Sequence, residues 1–224
     1  MGAAIQDGIR QRFVSWNTRS DGLGTQYLPG ASIVVSPSIR LYAQYTTDAS
    51  VIAKIGPAGG FIFHDKGSMG TIDGGPAWRY LELAPFDQSV GMSWGNDPLK
   101  NTASESALGG GYINTLDIIS KYSGSNYAAN LCGELTLGGY DDWYLPSSQE
   151  LGGSGGVYTT LFRDSANSTF PNYASIAIGG YYWTSTKIND MNPIYQYFNV
   201  DGSSCSAQAT SIANTYRVRA VRRF

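Results

Sequence analysis

Glycine-rich turns cut this chain into short pieces: Gly56-Pro57-Ala58-Gly59-Gly60, Gly109-Gly110-Gly111, Gly138-Gly139, Gly152-Gly153-Ser154-Gly155-Gly156 and Gly180. Glycine supplies positive φ and close backbone approach but weakens helix and strand interiors, so the elements between these turns are short. The glycines have no three-residue period, which excludes a collagen triple helix. With 42% hydrophobic residues, 13% aromatic and only 14% charged, the 224-residue chain has ample material for a core and is not a disordered sequence.

The segments between the turns read as α+β, with a few helices and a sheet of short antiparallel strands. Phe61-Ile62-Phe63-His64 and Arg79 to Ala84 are buried-strand candidates. Ile113, Leu116, Ile118 and Ile119 give a helical period over 112–122, and a short helix is expected over 127–131. Ser147 and Glu150 have capping-box spacing behind Pro146, a helix start. That helix runs into Gly152–Gly156, where each glycine costs about 1 kcal/mol relative to alanine. Either the helix is one turn long, or the segment is an engineered flexible replacement for a native loop. The second reading is preferred and gives it no function. Further strands are expected at 180–186, 194–200 and 216–224, the last with Tyr216, Val218 and Ala220 on one face and Arg217, Arg219 and Arg223 on the other.

Residues 1–47 read as a separate small β-rich module, with candidate strands at Ile33-Val34-Val35 and Leu41 to Tyr45 and a polar boundary at Thr46 to Ser50. Phe13, Trp16-Asn17-Thr18, Asp21-Gly22, Gly24-Thr25, Tyr27, Gly30 and Leu41-Tyr42-Ala43-Gln44 resemble the later half of the Listeria–Bacteroides repeat of bacterial surface proteins, which implies a partial β-grasp-like module. Residues 1–12 hold little of the first strands of such a repeat. Trp16 and Tyr42 are its expected core.

Residues 51–224 carry a second resemblance. The blocks are Gly56 to Gly60, Trp78-Arg79-Tyr80-Leu81-Glu82, Ala107 to Gly111, Ala128-Ala129 with Cys132, Gly138-Gly139-Tyr140-Asp141-Asp142-Trp143-Tyr144-Leu145-Pro146-Ser147, Tyr182 to Thr186 and Tyr216 to Arg222. In this order they resemble the family typified by the C-terminal domain of the Legionella collagen-like adhesin. The resemblance implies a C-type-lectin-like fold in which the N- and C-terminal strands pair and long loops form a binding face. It implies surface display and ligand binding rather than catalysis, with sulfated glycans among the family's ligands. Related domains are targets of diversity-generating retroelements, and the Tyr, Asn, Ser and Thr crowding between Tyr181 and Tyr216 suits such a variable region.

The binding residues expected are Tyr181, Lys187, Asn189, Asp190, Asn192, Tyr195, Tyr197 and Asn199, with the loop from Lys187 to Tyr197 as their centre; aromatic rings and amides supply rigid contact area and hydrogen bonds. Arg217 and Arg219 are candidates for an anion-binding edge, against the alternative of a solvated terminal strand. No cofactor is required; for a calcium ion the carboxylates would be Asp97, Asp141 and Asp142, for which hydrogen bonding to loop amides is the preferred role. His64, the single histidine, reads as a strand residue and not a catalytic base. Cys132 and Cys205 form one disulfide or stay free.

A net charge of −2 argues against nucleic acid and anionic membranes, and no apolar run approaches the roughly 18 residues of a membrane span. The sequence therefore predicts a fragment of a bacterial cell-surface protein whose partner is a protein or glycan on a host or neighbouring cell, with no membrane insertion and with homo-oligomerisation left open. Two alternatives stand beside it: a relative of the formylglycine-generating oxidases, which share the implied fold and use paired cysteines, and an oligomerising tip domain with no ligand.

Overall fold

A computed structural model describes residues 4–6, 9–20, 23–27, 32, 38–47, 51–71, 75–95, 102–163, 179–189, 192–199 and 203–224. The chain forms two compact units, Met1–Val51 and Ile52–Phe224. Ile33 to Val35, Asp97 and Asp190 lie outside the described residues.

The first unit is one antiparallel sheet. β2 (Ile9–Asn17) pairs along one edge with β4 (Tyr42–Thr47) and along the other with β1 (Ala4–Gln6) and β3 (Gln26–Tyr27). Strands therefore occupy residues 4–6 and 9–12 of the stretch ahead of the Phe13 to Gln44 blocks. The Trp16-Asn17-Thr18 motif has a local cause: the Asn17 side chain accepts from the N–H groups of Arg19 and Gly24 and donates to the Gly24 carbonyl, which closes the turn after β2. Trp16 and Tyr42 are half-buried.

The second unit is α+β, with mostly antiparallel sheets and few helices. β5 (Phe61–Gly70) and β6 (Trp78–Leu83) form a hairpin, and β12 (Val221–Arg223) pairs with β6, giving the order β12-β6-β5. The five-stranded sheet has the order β10-β9-β8-β11-β7, where β7 is Ser89–Ser93, β8 Tyr181–Asn189, β9 Asn192–Phe198, β10 Cys205–Ala209 and β11 Thr215–Val218. The single strand expected over 216–224 is thus two, broken at Arg219-Ala220 and shared between two sheets.

Successive residues of β8 point to opposite faces, and each face meets its own core. Tyr182 and Phe198 pack with Phe63, Trp78, Leu81 and Tyr144, whereas Trp183 packs with Trp94, Trp143, Ile118 and Cys132. Burying each such large side chain contributes roughly 1.5–3 kcal/mol.

The helices are α1 (Gly111–Lys121), α2 (Ala128–Gly133) and α3 (Ser148–Gly152). The capping box of α3 is formed as the spacing predicts: Glu150 N–H donates to Ser147 Oγ at 3.2 Å and Ser147 N–H to Glu150 Oε2 at 2.5 Å. In α1 the apolar period misleads, for Leu116 is 47% exposed while Asn114 and Thr115 are buried. Asn114 bridges Glu105 to Ser185 Oγ, and Thr115 Oγ1 both accepts from Leu145 N–H and donates to its carbonyl. Those hydrogen bonds place polar residues inside.

Gly152–Gly156 is not a passive insert. A Cβ on Gly152 would lie 2.6 Å from the Gln196 carboxamide, and one on Gly156 2.2 Å from the Gln149 carbonyl oxygen. Gly155 has φ +76° and donates to Thr159 Oγ1, whose hydroxyl is shared with the Gly153 and Gly156 carbonyls. The segment ends α3 after one turn and opens a π-helical turn at Tyr158–Arg163.

Candidate functional site

Registry assembles the site. Across β8 and β9, Tyr181 stands opposite Tyr197 and Trp183 opposite Tyr195; β10 places Ser206 beside Tyr197 and Gln208 beside Tyr195. On the other side of β8, β11 brings Tyr216. The rings make one contiguous set on the Trp183 face of the sheet, running from the core at Trp183 and Tyr195 to the surface at Tyr181. Tyr181 stacks on Tyr197 at 4.8 Å and on Tyr216 at 5.3 Å between centroids; Tyr216 meets Trp183 at 4.5 Å and Tyr195 edge-on at 4.9 Å. Such contacts fix ring orientation before any ligand arrives.

Exposure grades along the row. Trp183 is fully buried, Tyr195 nearly so, and Tyr181 is 44% exposed. Tyr195 donates its hydroxyl to Gln208 Oε1 at 2.8 Å. Burial, with the Tyr216 and Tyr181 rings beside it, raises the Tyr195 hydroxyl above its ordinary phenol value, so it remains a neutral donor.

Beside the rings is a cleft of about 160 Å³ lined by residues of β8 and β11. The two strands run parallel and share one register pair, Arg217 with Tyr182. Gly179 to Tyr181 form one wall and Thr215 to Arg217 the other, with Val90 of β7 at the rim.

The structure divides the expected binding residues into two groups. Tyr181, Tyr195 and Tyr197 come together, and Asn199 lies at the same end of the hairpin, its Nδ2 3.4 Å from Ser203 Oγ. Lys187, Asn189 and Asn192 lie at the opposite end, where Asn189 pairs with Asn192 and Lys187 with Pro193. Asn189 is eight residues along β8 from Tyr181, roughly 25 Å at ordinary strand rise. The described residues of the segment expected as a loop, 187–189 and 192–197, lie in β8 and β9; their Asn and Pro residues suggest a loop, and the alternation of Tyr195 and Tyr197 carries a strand. Lys187 is held by its main chain, which both donates to and accepts from Ser104 Oγ.

The terminal arginines are neither a solvated edge nor a free anion site. Arg219 is fully buried, with Nε on Asp87 Oδ1 at 2.8 Å and Nη1 on the Ala84 carbonyl at 2.7 Å. Arg217 pairs with Asp87 Oδ2 at 2.9 Å and keeps 32% of its side-chain exposure. Arg222 grips Asp142 through Nε and Nη2, at 2.7 and 2.9 Å, with Nη1 on Glu82. Asp142 therefore has a guanidinium partner in place of the loop amides expected, and Asp141 is exposed.

Glu82 accepts from the Ala58 and Gly60 N–H groups as well as from Arg222, and a Cβ on Gly138 would lie 2.2 Å from the Ala58 carbonyl oxygen. The sequence blocks around Ala58, Glu82, Asp142 and Arg222 thus meet at one ion-pair network centred on the buried Glu82 and Arg222. Their job is architectural.

Cys132 and Cys205 are both free. Cys132 is enclosed in the core beside Trp183, while Cys205 packs against the other core and its thiol donates to Gln196 Oε1 at 3.3 Å. Burial raises both thiols, Cys205 to about 12. His64 is a half-buried strand residue against Trp78, its pKa lowered chiefly by burial. Among the described residues no group of His, Cys, Asp and Glu is arranged to hold a metal ion, and no helix is long and apolar enough to cross a membrane.

Sequence reasoning missed Tyr216, Gln208 and Val90. Tyr216 falls on the apolar face of its strand, but nothing in sequence spacing shows that this strand lies beside Tyr181. No protein-family profile and no curated protein matches the chain.

Proposed function

We propose that residues 51–224 are a non-enzymatic ligand-binding domain of a bacterial surface protein, with a C-type-lectin-like arrangement, that recognises a protein or glycan on another cell through the exposed end of the tyrosine row on its five-stranded sheet. The observation that carries this reading is the stacked set of Tyr181, Tyr197 and Tyr216 ending in an exposed ring beside a cleft. Rigid amphipathic rings give contact area at small entropic cost, and Gln208 and Asn214 flank them with amides. The terminal β12 strand beside β6 and the few short helices are consistent with the lectin-like arrangement. The variable-region idea now attaches to strands: substitutions at the exposed positions Tyr181 of β8 and Ala207, Gln208 and Ala209 of β10 would change the surface and leave Trp183 and Tyr195 in the core.

The test is a binding screen of the full chain against displayed peptides and an immobilised glycan panel, repeated with Tyr181→Ala/Tyr197→Ala. We expect loss of at least ten-fold in apparent affinity with an unchanged circular dichroism spectrum. Equal binding by the double variant would sink the assignment. An oxidase would need both thiols in one site, and their placement in separate cores lends that reading no support.

A further inference from the structure

We propose that two copies of the chain pair antiparallel along β10, about a two-fold axis at Ala207, and so join their five-stranded sheets into one.

The main chain of β10 is the first ground. It is an outer strand, paired with β9 alone. Asn199 N–H donates to the Ser204 carbonyl and Thr210 N–H to the Pro193 carbonyl. Bonded positions alternate along an antiparallel ladder, so Ser206 and Gln208 also face β9. The N–H and C=O groups of Cys205, Ala207 and Ala209 face away from it, and among the described residues none of them has a partner. Such a row is complementary to another extended strand.

Other outer strands of this unit are interrupted or covered. In β7, Gly91 N–H turns onto Ser89 Oγ, the Met92 carbonyl accepts Trp183 Nε1, and the ladder to β11 is bulged between Tyr216 and Val218. The outer side of β5 is taken at Ile62 by the main chain of Ala53 and Lys54, and β12 is bridged at Val221 by Tyr144. In contrast, β10 runs against β9 without a bulge and contains no proline and no charge, and Ala207 to Ala209 are exposed. Charge, proline and bulges are what ordinarily keep sheet edges apart.

Self-complementarity selects a second copy as the occupant. Pairing about Ala207 sets Cys205 opposite Ala209 of the second copy and Ala207 opposite its own counterpart, so every outward-facing position meets another. Between them, Gln208 comes opposite Ser206 of the second copy, on the face that carries Tyr195 and Tyr197. Gln208 Oε1 is used by the Tyr195 hydroxyl, while among the described residues its amide nitrogen and the Ser206 hydroxyl have no partner. Those two groups are a matched donor and acceptor. The second copy thus contributes a hydroxyl to the amide that holds Tyr195, and the two tyrosine rows lie on one surface. No like charges meet across the axis.

The full chain should be sedimented to equilibrium over a hundred-fold range of concentration, beside Ala207→Pro, Ala207→Lys and Gln208→Ala. We expect a reversible monomer–dimer equilibrium for the wild type. Ala207→Pro loses the outward N–H but keeps the bonds to β9, and should weaken association at least ten-fold with an unchanged circular dichroism spectrum. Ala207→Lys sets two cations together at the axis; it should dissociate the dimer at low salt and regain part of it at high salt, a response that misfolding does not give. Should the proline variant not fold, the lysine variant decides. Gln208→Ala should weaken the dimer a few-fold, and association at wild-type strength would overturn the register. A wild-type chain that stays monomeric throughout overturns the proposal. So does a dimer unaffected by Ala207→Lys, which places the contact elsewhere, and so does assembly beyond the dimer, which a closed two-fold forbids. None of these outcomes bears on binding by Tyr181→Ala/Tyr197→Ala, so this inference and the ligand-binding reading fail separately.

Discussion

Arg222 Nη1 donates to Glu82 Oε2 at 3.1 Å, and the two side chains retain only 3% and 0% of their exposure. The residues are far apart in sequence and close a ring of hydrogen bonds from the Gly56–Gly60 turn to the terminal strand. Breaking such a pair from one side strands a charge in the interior. Arg222→Ala should cost about 3–5 kcal/mol, read as a shift in the urea midpoint, or prevent folding. A loss below about 1 kcal/mol would show that the pair does not hold the sheet to the loop.

Glu150 gives a pH signature. It is fully buried, and burial raises its pKa to about 6 despite donors from Ser147, Tyr144 and Gly109. The folded protein thus holds the Glu150 proton more tightly than the unfolded chain, whose ordinary value is 4.5. Protonated Glu150 favours folding fully below about pH 4.5, and the contribution is lost as pH rises through about 6. It amounts to about 2 kcal/mol. Urea titrations from pH 4.5 to 7 should show that gain on acidification, and Glu150→Gln should abolish it. The lowered Asp65 and Asp117 groups act in the opposite sense, at more acidic pH than their ordinary 3.8.

The glycine-rich turn separates two views of its role. Gly156→Ala should destabilise by about 2 kcal/mol or more, because the new Cβ meets the Gln149 carbonyl. Ser154→Ala, at an exposed position of the same turn, should fall within about 0.5 kcal/mol of wild type. Thermal unfolding of both variants decides it; equal tolerance would mean a flexible tether.

Adjacent tyrosines should behave as opposites. Tyr181→Ala should leave stability within about 1 kcal/mol and weaken binding, since its ring is exposed at the end of the row. Tyr182→Ala should cost about 3–5 kcal/mol, since its ring is enclosed against Phe198 and its hydroxyl reaches Asp87. Matching losses of stability would contradict the alternation of β8.

Thiol chemistry offers a further check. Cys132 is enclosed and Cys205 is raised to about 12, so a disulfide reagent at pH 8 should label both slowly in the native protein and rapidly in urea. A rapidly reacting native thiol would place Cys205 outside its described packing.

Local signals were legible in the sequence and long-range partners were not. Ser147 and Glu150 lie three residues apart, and their spacing alone predicts the cap that forms. The apolar period of α1 predicts a helix, yet not that Asn114 and Thr115 would bury, because their partners Ser185 and Leu145 come from other segments. The terminal arginines alternate as on a half-solvated strand, but Asp87 and Glu82, more than a hundred residues earlier, draw them inside. The tyrosines were identified by type, and only strand register separates Tyr181 and Tyr197 from Asn189 and Asn192.

The single register pair between β8 and β11 makes the aromatic surface a thing of two leaves. Tyr181, Tyr195 and Tyr197 belong to one leaf and Tyr216 to the other, so ring stacking on one face and Asp87 on the reverse are the stitches between them. A substitution in either leaf would tune the angle at which the rings meet, and with it the shape that a partner must match, without rebuilding the scaffold behind.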